Sequence, residues 1–237
     1  MGPDQHRSRK NREREGRSAL VPRPAYQLYE TLEQKADLES RNGLLQFDEV
    51  RKMLAESIPD FALKPATLAR LHYVAIRDIY GCAGTFRMAP VFLSRGVVDD
   101  TLHQPPTWER VAPLVEEMCA YVNGNFGKPA IHLAAYVMWR HNWIHPFLGG
   151  NGRTSRAASY LVLCARLGYY LPGEPTVPQQ IADNSKSRDR YYRALQAADA
   201  SDKNRRLDVS AMEDLISGCL AAQLLSVHQQ AGLYKAP

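Results

Sequence analysis

No run of apolar residues in this 237-residue sequence approaches the roughly 18 to 20 residues that a helix needs to cross a bilayer. The first 15 residues are charged where a signal peptide would have an apolar core. The sequence therefore predicts neither a membrane span nor an export signal. We expect a soluble, cytoplasmic protein with no membrane partner.

Cysteine is scarce, and its spacing excludes two further classes of site. The four cysteines are Cys82, Cys119, Cys164 and Cys219, and no two of them form a CxxC pair. The sequence thus lacks the pattern of a zinc or redox site, and we expect four reduced core residues. The pattern GxxxxGK[ST] is also absent, which excludes a P-loop nucleotide-binding protein.

The excess of basic side chains is small, and more than half of it lies at one end. The formal net charge is +5, and residues 1–19 contribute +3 of it through six basic and three acidic side chains. A basic tail can bind nucleic acid or acidic surfaces, but no nucleic-acid recognition module follows this one. We therefore predict a solvated leader over residues 1–25 and do not expect nucleic acid as a partner.

Apolar residues recur at helical intervals over most of the remaining chain, which predicts an all-α domain of about six to eight helices. One β-hairpin is predicted over residues 91–98. We divide the chain into a helical extension over 26–65, broken near Asn42-Gly43, a central domain over 66–200 and a C-terminal helix over 201–237. The apolar face of that last helix would pack on the domain or on a second copy of the chain, forming a homodimer.

The most informative string is IHPFLGGNGRTSR, which covers residues 144–156. Pro146 ends a helix directly after His145, so the imidazole stands at a helix–loop junction. Gly150 and Gly152 permit backbone conformations that direct successive N–H groups at one point, and the next helix adds its positive N-terminal end. The segment Gly150, Asn151, Gly152 is therefore predicted to bind an anion.

Two arginines follow this segment at a helical spacing of three residues. Arg153 and Arg156 share a face of the first turn, where two cations are unfavourable beside the positive end of the helix dipole unless an anion is bound. A polyphosphate would satisfy both guanidinium groups, and His145 beside it could remove a proton from a hydroxyl nucleophile. A plain glycine turn with solvent-facing arginines is the alternative, but it does not explain the joint spacing.

The string resembles the signature of Fic (Fido) proteins, H-P-F-x-[D/E]-G-N-G-R-x-x-R, and the resemblance covers roughly residues 66–200. Members of this family mostly transfer AMP from ATP to a Ser, Thr or Tyr hydroxyl of a target protein. The resemblance implies that His145 is the general base, that Arg153 stabilises the charge on the phosphates during transfer, and that the hairpin is a flap holding the target. It also implies nucleotide-binding residues: Gly150, Asn151, Gly152, Arg153, Arg156, Asn184, Tyr191 and Tyr192.

One position of the signature departs from the family. Gly149 stands where the family has the Asp or Glu that binds Mg²⁺, and glycine offers no carboxylate. We therefore expect weakly held magnesium. Three explanations stay open: a metal held by nucleotide and water alone, a carboxylate supplied from elsewhere, or a regulatory module that binds nucleotide without turning it over.

A second departure concerns control of activity. Many family members carry an inhibitory helix whose Glu pairs with the second arginine of the signature. The nearest counterpart here is residues 38–43, where Asn42 stands at the Glu position and cannot form that ion pair. The resemblance thus predicts that this self-inhibition is absent or is supplied by a small partner protein.

A zinc hydrolase is the remaining alternative. His141 and His145 have the spacing of a helical zinc-binding pair. However, Asn142 replaces the glutamate of H-E-x-x-H, and Pro146 breaks the helix that would present both imidazoles. The sequence therefore favours a nucleotidyl transferase over a zinc enzyme.

Overall fold

The computed structural model describes residues 27–58, 60–91, 103–183 and 185–233. Within these ranges the chain forms eight α-helices, one 3-10 turn (Trp108–Arg110) and no β-strand, which confirms the all-α prediction. The predicted hairpin lies, beyond residue 91, outside the described residues. The helices are α1 Leu32–Ser57, α2 Pro65–Ile76, α3 Val111–Gly124, α4 Ala130–Ile144, α5 Asn151–Leu167, α6 Val177–Asp183, α7 Ser185–Lys203 and α8 Ser210–Leu233.

Helices α4 and α5 form the centre of the core. Trp139 of α4 and Tyr160 of α5 are among the largest fully buried side chains, and most residues of both helices are buried. Gly150 precedes α5 and Gly168 follows it, both with left-handed backbone angles, so local chemistry fixes both ends of this helix. The loop that joins α4 to α5 is therefore anchored at each end by the best-packed helices.

Helix α1 runs unbroken through Asn42-Gly43, so the predicted break is wrong. The Asn42 side chain is fully buried, and its Nδ2 donates to the carbonyl of Arg77 at 2.7 Å. Gln46 Nε2 donates in the same way to the carbonyl of Leu71 at 3.0 Å. Because both carboxamides satisfy carbonyl groups of α2 and its C-terminus, these polar residues stabilise the packing of α1 rather than end it.

The C-terminal helix packs on the body of its own chain. Helix α8 contacts α4, α6 and α7, and it buries Met212, Leu215 and Ile216 there. The four cysteines are free thiols, three of them buried and Cys82 partly buried. In the part of the chain that the structure describes, no helix combines the length and apolar character that a membrane span requires.

Candidate functional site

His145 caps the C-terminus of α4 in a left-handed conformation, with φ 50° and ψ 59°. Its backbone N–H donates to the carbonyl of His141 at 2.9 Å. For a residue other than glycine, a left-handed conformation costs roughly 1–2 kcal/mol, so contacts from the surrounding structure have to hold it. This turn redirects the chain and presents the imidazole beside the loop.

Arg87 supplies those contacts. It is 2% exposed, and its backbone N–H donates to the carbonyl of Pro146 at 2.8 Å. Its Nε donates to the carbonyl of His145 at 2.8 Å, and its Nη2 donates to those of Pro106 at 2.6 Å and Ile144 at 3.3 Å. The guanidinium group thus binds the carbonyls of Ile144 and His145, and the Arg87 backbone N–H binds that of Pro146, so all three consecutive carbonyl groups around His145 are held.

Two further side chains fix the rest of the loop. The Asn151 carboxamide accepts from the N–H of Phe147 at 3.0 Å and donates to its carbonyl at 2.8 Å. His72 Nδ1 accepts from the N–H of Gly84, so its Nε2 carries the proton and donates to the carbonyl of Gly149 at 2.9 Å. The Asn151 side chain therefore stabilises the loop conformation, and only the backbone N–H of Asn151 is free to bind an anion.

The carbonyl groups of the loop are bound by the side chains of Arg87, Asn151 and His72. The N–H groups at the start of α5 are therefore the backbone groups that can bind a ligand. Those of Asn151, Gly152 and Arg153 have no hydrogen-bond acceptor among the described residues. Gly150 has φ 73°, and a Cβ there would come within 2.6 Å of the Ile76 side chain, so glycine is required. Free first-turn amides and the helix dipole together form an anion-binding site.

The two arginines of the signature differ in their partners. Arg153 Nη1 donates to the carbonyl of Ala75 at 3.2 Å, and its Nη2 lies 3.3 Å from the Glu39 carboxylate of α1. Arg156 forms no ion pair with any acidic residue in the described ranges. Both line a cavity of about 430 Å³ between α1 and α5.

Helix α1 supplies a carboxylate to one of these arginines, which the sequence did not reveal, and that arginine is Arg153, the first of the signature. Asn42 faces α2, where it is bound to backbone carbonyls, but Glu39, three residues earlier, reaches Arg153. Asn42→Glu is therefore not a clean test of self-inhibition, because it would bury a carboxylate against two carbonyl oxygens.

Three histidines near the loop are held in the neutral form. Burial lowers the pKa of His72 to about 4 and that of His141 to about 3. Burial, with the positive charge of Arg87, lowers the pKa of His145 to about 4. A neutral imidazole can accept a proton, as a general base must. No group of three metal-ligating side chains occurs in the described residues, so His141 and His145 find no third zinc ligand there.

Two of the three residues predicted to hold the nucleotide base lie on α7, within the described residues. Tyr191 of α7 is 4% exposed and lies within electrostatic reach of Arg156. Tyr192 is 41% exposed, with its ring centroid 5.5 Å from that of Tyr191. Asn184 lies outside the described residues. His145, the glycine segment and both arginines thus lie on one loop and the first turns of α5, and the base pocket at Asn184, Tyr191 and Tyr192 stays a prediction.

Sequence reasoning missed Arg87 and His72 as parts of the site. Both act on backbone carbonyl groups of the loop, 58 and 77 positions away in the chain. The available signal was indirect: Arg87 ends the string AGTFR, which resembles the family but implies no role. Their spacing relative to the signature motif says nothing about this contact.

Comparisons with known proteins confirm the resemblance. Residues 62–163 match the Fic/DOC family model. A Fic family protein from Desulfovibrio desulfuricans G20 has a TM-score of 0.59 and 21% identity, over 80% of this chain and 53% of that chain. A Fic domain containing signaling protein from Bacteroides thetaiotaomicron VPI-5482 has a TM-score of 0.65 and 17% identity, over 83% of this chain and 73% of that chain.

A third structure, Fic-1 from C. elegans, has a TM-score of 0.64 and 17% identity, over 93% of this chain and 57% of that chain. At such identities the likeness shows the fold alone. The chain also spans little more than half the length of two of these three structures.

Proposed function

We propose, from the Fic/DOC match over residues 62–163 and the Fic-domain fold, that this chain is a protein adenylyltransferase. It would move AMP from ATP to a Ser, Thr or Tyr hydroxyl of a target protein. The observation that carries the proposal is the loop between α4 and α5. Its carbonyl groups are bound by Arg87, Asn151 and His72, and the first three amides of α5 have no acceptor among the described residues. A neutral His145 precedes the loop, and Arg153 and Arg156 follow it in the first turns of α5.

In the proposed reaction, His145 takes the proton of the target hydroxyl. The oxygen then forms a bond to the α-phosphorus as the bond from that phosphorus to the bridging oxygen breaks, and pyrophosphate leaves. The free amides at the start of α5 and the guanidinium of Arg153 stabilise the charge that develops on the phosphates. The products are the AMP ester of the target and pyrophosphate, with the proton on His145.

Magnesium fits this site poorly. Gly149 has no side chain, and the nearby Glu39 carboxylate is engaged by Arg153. Magnesium is usually bound through one or two carboxylates together with phosphates. Gly149 therefore leaves the loop without the carboxylate that magnesium usually requires, and no step of the proposed reaction is assigned to a metal.

Restoring the carboxylate should restore metal dependence. A Cβ at Gly149 would meet only the Tyr80 ring, at an ordinary contact distance of 3.8 Å, so Gly149→Asp should fold normally. We expect Mg²⁺ to strengthen ADP binding about tenfold more in this variant than in the wild type. Calorimetric titrations of ADP with and without Mg²⁺ measure the difference. Gly149→Asn is the matched control without charge, and an equal Mg²⁺ effect in Asn and Asp variants would contradict the prediction.

Removing the carboxylate of Glu39 should strengthen anion binding. Its ion pair with Arg153 is partly exposed, and such pairs contribute about 0.2–1 kcal/mol. Glu39→Gln should therefore raise the affinity for ADP by about two- to fivefold. Glu56→Gln, on the same helix and paired with Lys52 at 3.9 Å, is the control that should leave ADP binding unchanged. Unchanged affinity in Glu39→Gln would show that this contact does not compete with phosphate.

The transferase proposal is tested by label transfer. The protein is incubated with ATP labelled at the α-phosphate, with Mg²⁺ or Mn²⁺ and a cell lysate, beside His145→Ala. Label on protein that disappears in the variant supports the enzyme, and mass spectrometry of the labelled bands identifies the target. If both proteins bind ADP equally and neither transfers label, the second candidate function, a regulatory nucleotide-binding module, is supported. The missing carboxylate at Gly149 favours that alternative.

A further inference from the structure

The cavity between α1 and α5 is larger than a phosphate chain requires. Its volume of about 430 Å³ lies in the range of pockets that hold small organic ligands. Arg153 and Arg156 line it at the side of the phosphate-binding loop, and α1 and α6 form its other walls. A ligand held at the arginines could therefore extend into it.

The walls of this cavity combine apolar and polar side chains. Leu44, Phe47 and Val50 of α1 contribute apolar surface, and Tyr160 of α5 contributes an aromatic ring. Glu174 and Gln179 add groups that can bind the hydroxyl or amide groups of an organic ligand, and the Glu174 carboxylate disfavours a further phosphate there. A phosphate group loses hydration against the apolar surface without a compensating hydrogen bond, whereas a sugar, base or alkyl group gains from it. The cavity thus fits a ligand with an anionic end at the arginines and an organic end beyond them.

The charges at the site favour a ligand less anionic than ATP. Arg153 is partly neutralised by Glu39, whereas Arg156 has no acidic partner among the described residues, and Gly149 supplies no metal carboxylate. A nucleoside triphosphate brings several negative charges that magnesium normally screens. A diphosphate esterified at both ends carries only one negative charge on each phosphate, which two guanidinium groups can balance without a metal.

We propose that the preferred donor is a nucleoside diphosphate diester, a nucleotide joined through its diphosphate to a second organic group that occupies this cavity. The proposal rests on the transferase proposed above. The target hydroxyl oxygen would bond to the phosphorus that carries the nucleoside, with its proton passing to His145. The bond to the bridging oxygen breaks, and the second organic group leaves as its monophosphate ester.

The donor class is tested by binding without metal. Calorimetric titrations in EDTA compare ADP and ATP with three diphosphate diesters: ADP-ribose, NAD⁺ and UDP-glucose. At least one diester should bind ten times more tightly than ADP or ATP. If no diester binds more tightly than ADP, the proposal is overturned.

A cavity-filling substitution tests where the second group lies. Gly43 lines the cavity from α1, and a Cβ there would meet no atom within 4 Å, so the backbone tolerates a side chain and Gly43→Trp adds an indole at the edge of the cavity. It should weaken binding of the tight diester at least tenfold and leave ADP within twofold. Gly43→Ala is the matched control and should behave as the wild type. Equal weakening of ADP and the diester, or no weakening of either, would overturn the cavity assignment.

Two results distinguish failure of the proposed transfer reaction from failure of the proposed donor class. A diester that binds tightly and responds to Gly43→Trp, but from which no label reaches lysate protein, keeps the donor pocket and overturns the transfer reaction. His145-dependent transfer from ATP, with no diester preferred over ADP, keeps the transferase and overturns the donor class.

Discussion

Lowering the pH from about 7.5 to about 5 is expected to lower the free energy of unfolding by several kcal/mol, because the fold excludes protons from buried histidines. His72 and His141 are both fully buried, and burial lowers their pKa values to about 4 and about 3. In the unfolded chain each would titrate near 6.5. Below that pH the unfolded state binds protons that the folded state does not.

The free energy of unfolding therefore falls as the pH falls. A histidine whose folded pKa is depressed contributes full stability above the unfolded value, and the contribution is lost as the pH falls through 6.5 towards the folded pKa. At about pH 5, each of the two histidines lowers stability by about 2 kcal/mol. His145, with its pKa lowered to about 4, acts in the same direction.

Urea unfolding at the two pH values measures this effect. His141 is the clearest residue to replace, because both its ring nitrogens are buried without a hydrogen-bond partner in the described structure. His141→Phe should be more stable than the wild type at pH 5 by about 2 kcal/mol or more, with a smaller gain at pH 7.5. His228→Gln, on the exposed side of α8, controls for the loss of an imidazole. An unchanged pH dependence in His141→Phe would mean that His141 is not protected from protonation.

The helices that position the site could be predicted because their ends depend on local chemistry. Pro129 precedes α4, and Gly150 and Gly168 flank α5, so the residues that set each boundary adjoin it in the chain. The anion-binding segment was predictable for the same reason, since glycines and arginines at these spacings serve a short stretch of backbone. The missing carboxylate at Gly149 is read directly from the sequence.

The features that the sequence did not reveal depend on distant contacts. Asn42-Gly43 has the composition of a helix end, but the hydrogen bonds of Asn42 go to the C-terminus of α2, 33 and 35 positions away. The ion pair between Glu39 and Arg153 likewise joins two helices that are remote in the chain. Local propensity is outweighed by tertiary packing in such cases, so only the fold shows which side chains face the site.

Replacing Arg87 by methionine should have a large effect for a polar residue outside the signature. Its side chain donates to four backbone carbonyl groups: those of Ala89, Pro106, Ile144 and His145. Methionine leaves these groups without a donor, and an unsatisfied buried acceptor costs about 1–3 kcal/mol. Arg87→Met should therefore lower the free energy of unfolding by about 3–5 kcal/mol, which urea denaturation measures directly.

Arg87 should also act on catalysis through the position of His145. Without the bonds from the guanidinium group to the His145 and Ile144 carbonyls, only backbone hydrogen bonds hold the left-handed conformation at His145, and we expect the imidazole to move away from the reacting oxygen. At a temperature where Arg87→Met remains folded, ADP affinity should change little, because His72 and Asn151 still hold the loop. Label transfer should nevertheless fall about 10²-fold or more.

If Arg87 positions His145, the substitution lowers the rate of label transfer but not the affinity for ADP. General destabilisation of the fold would lower both. Arg166→Met is the matched control, since that arginine also donates to two backbone carbonyl groups but lies at the far end of α5. It should lose little stability and keep the wild-type rate of transfer. Arg87→Lys retains the charge but has a single nitrogen in place of three, so it should recover part of the stability and little of the turnover. Parallel losses of ADP affinity and transfer in Arg87→Met would instead mean that Arg87 holds the whole loop, including the anion-binding amides, and that the imidazole is not positioned independently of them.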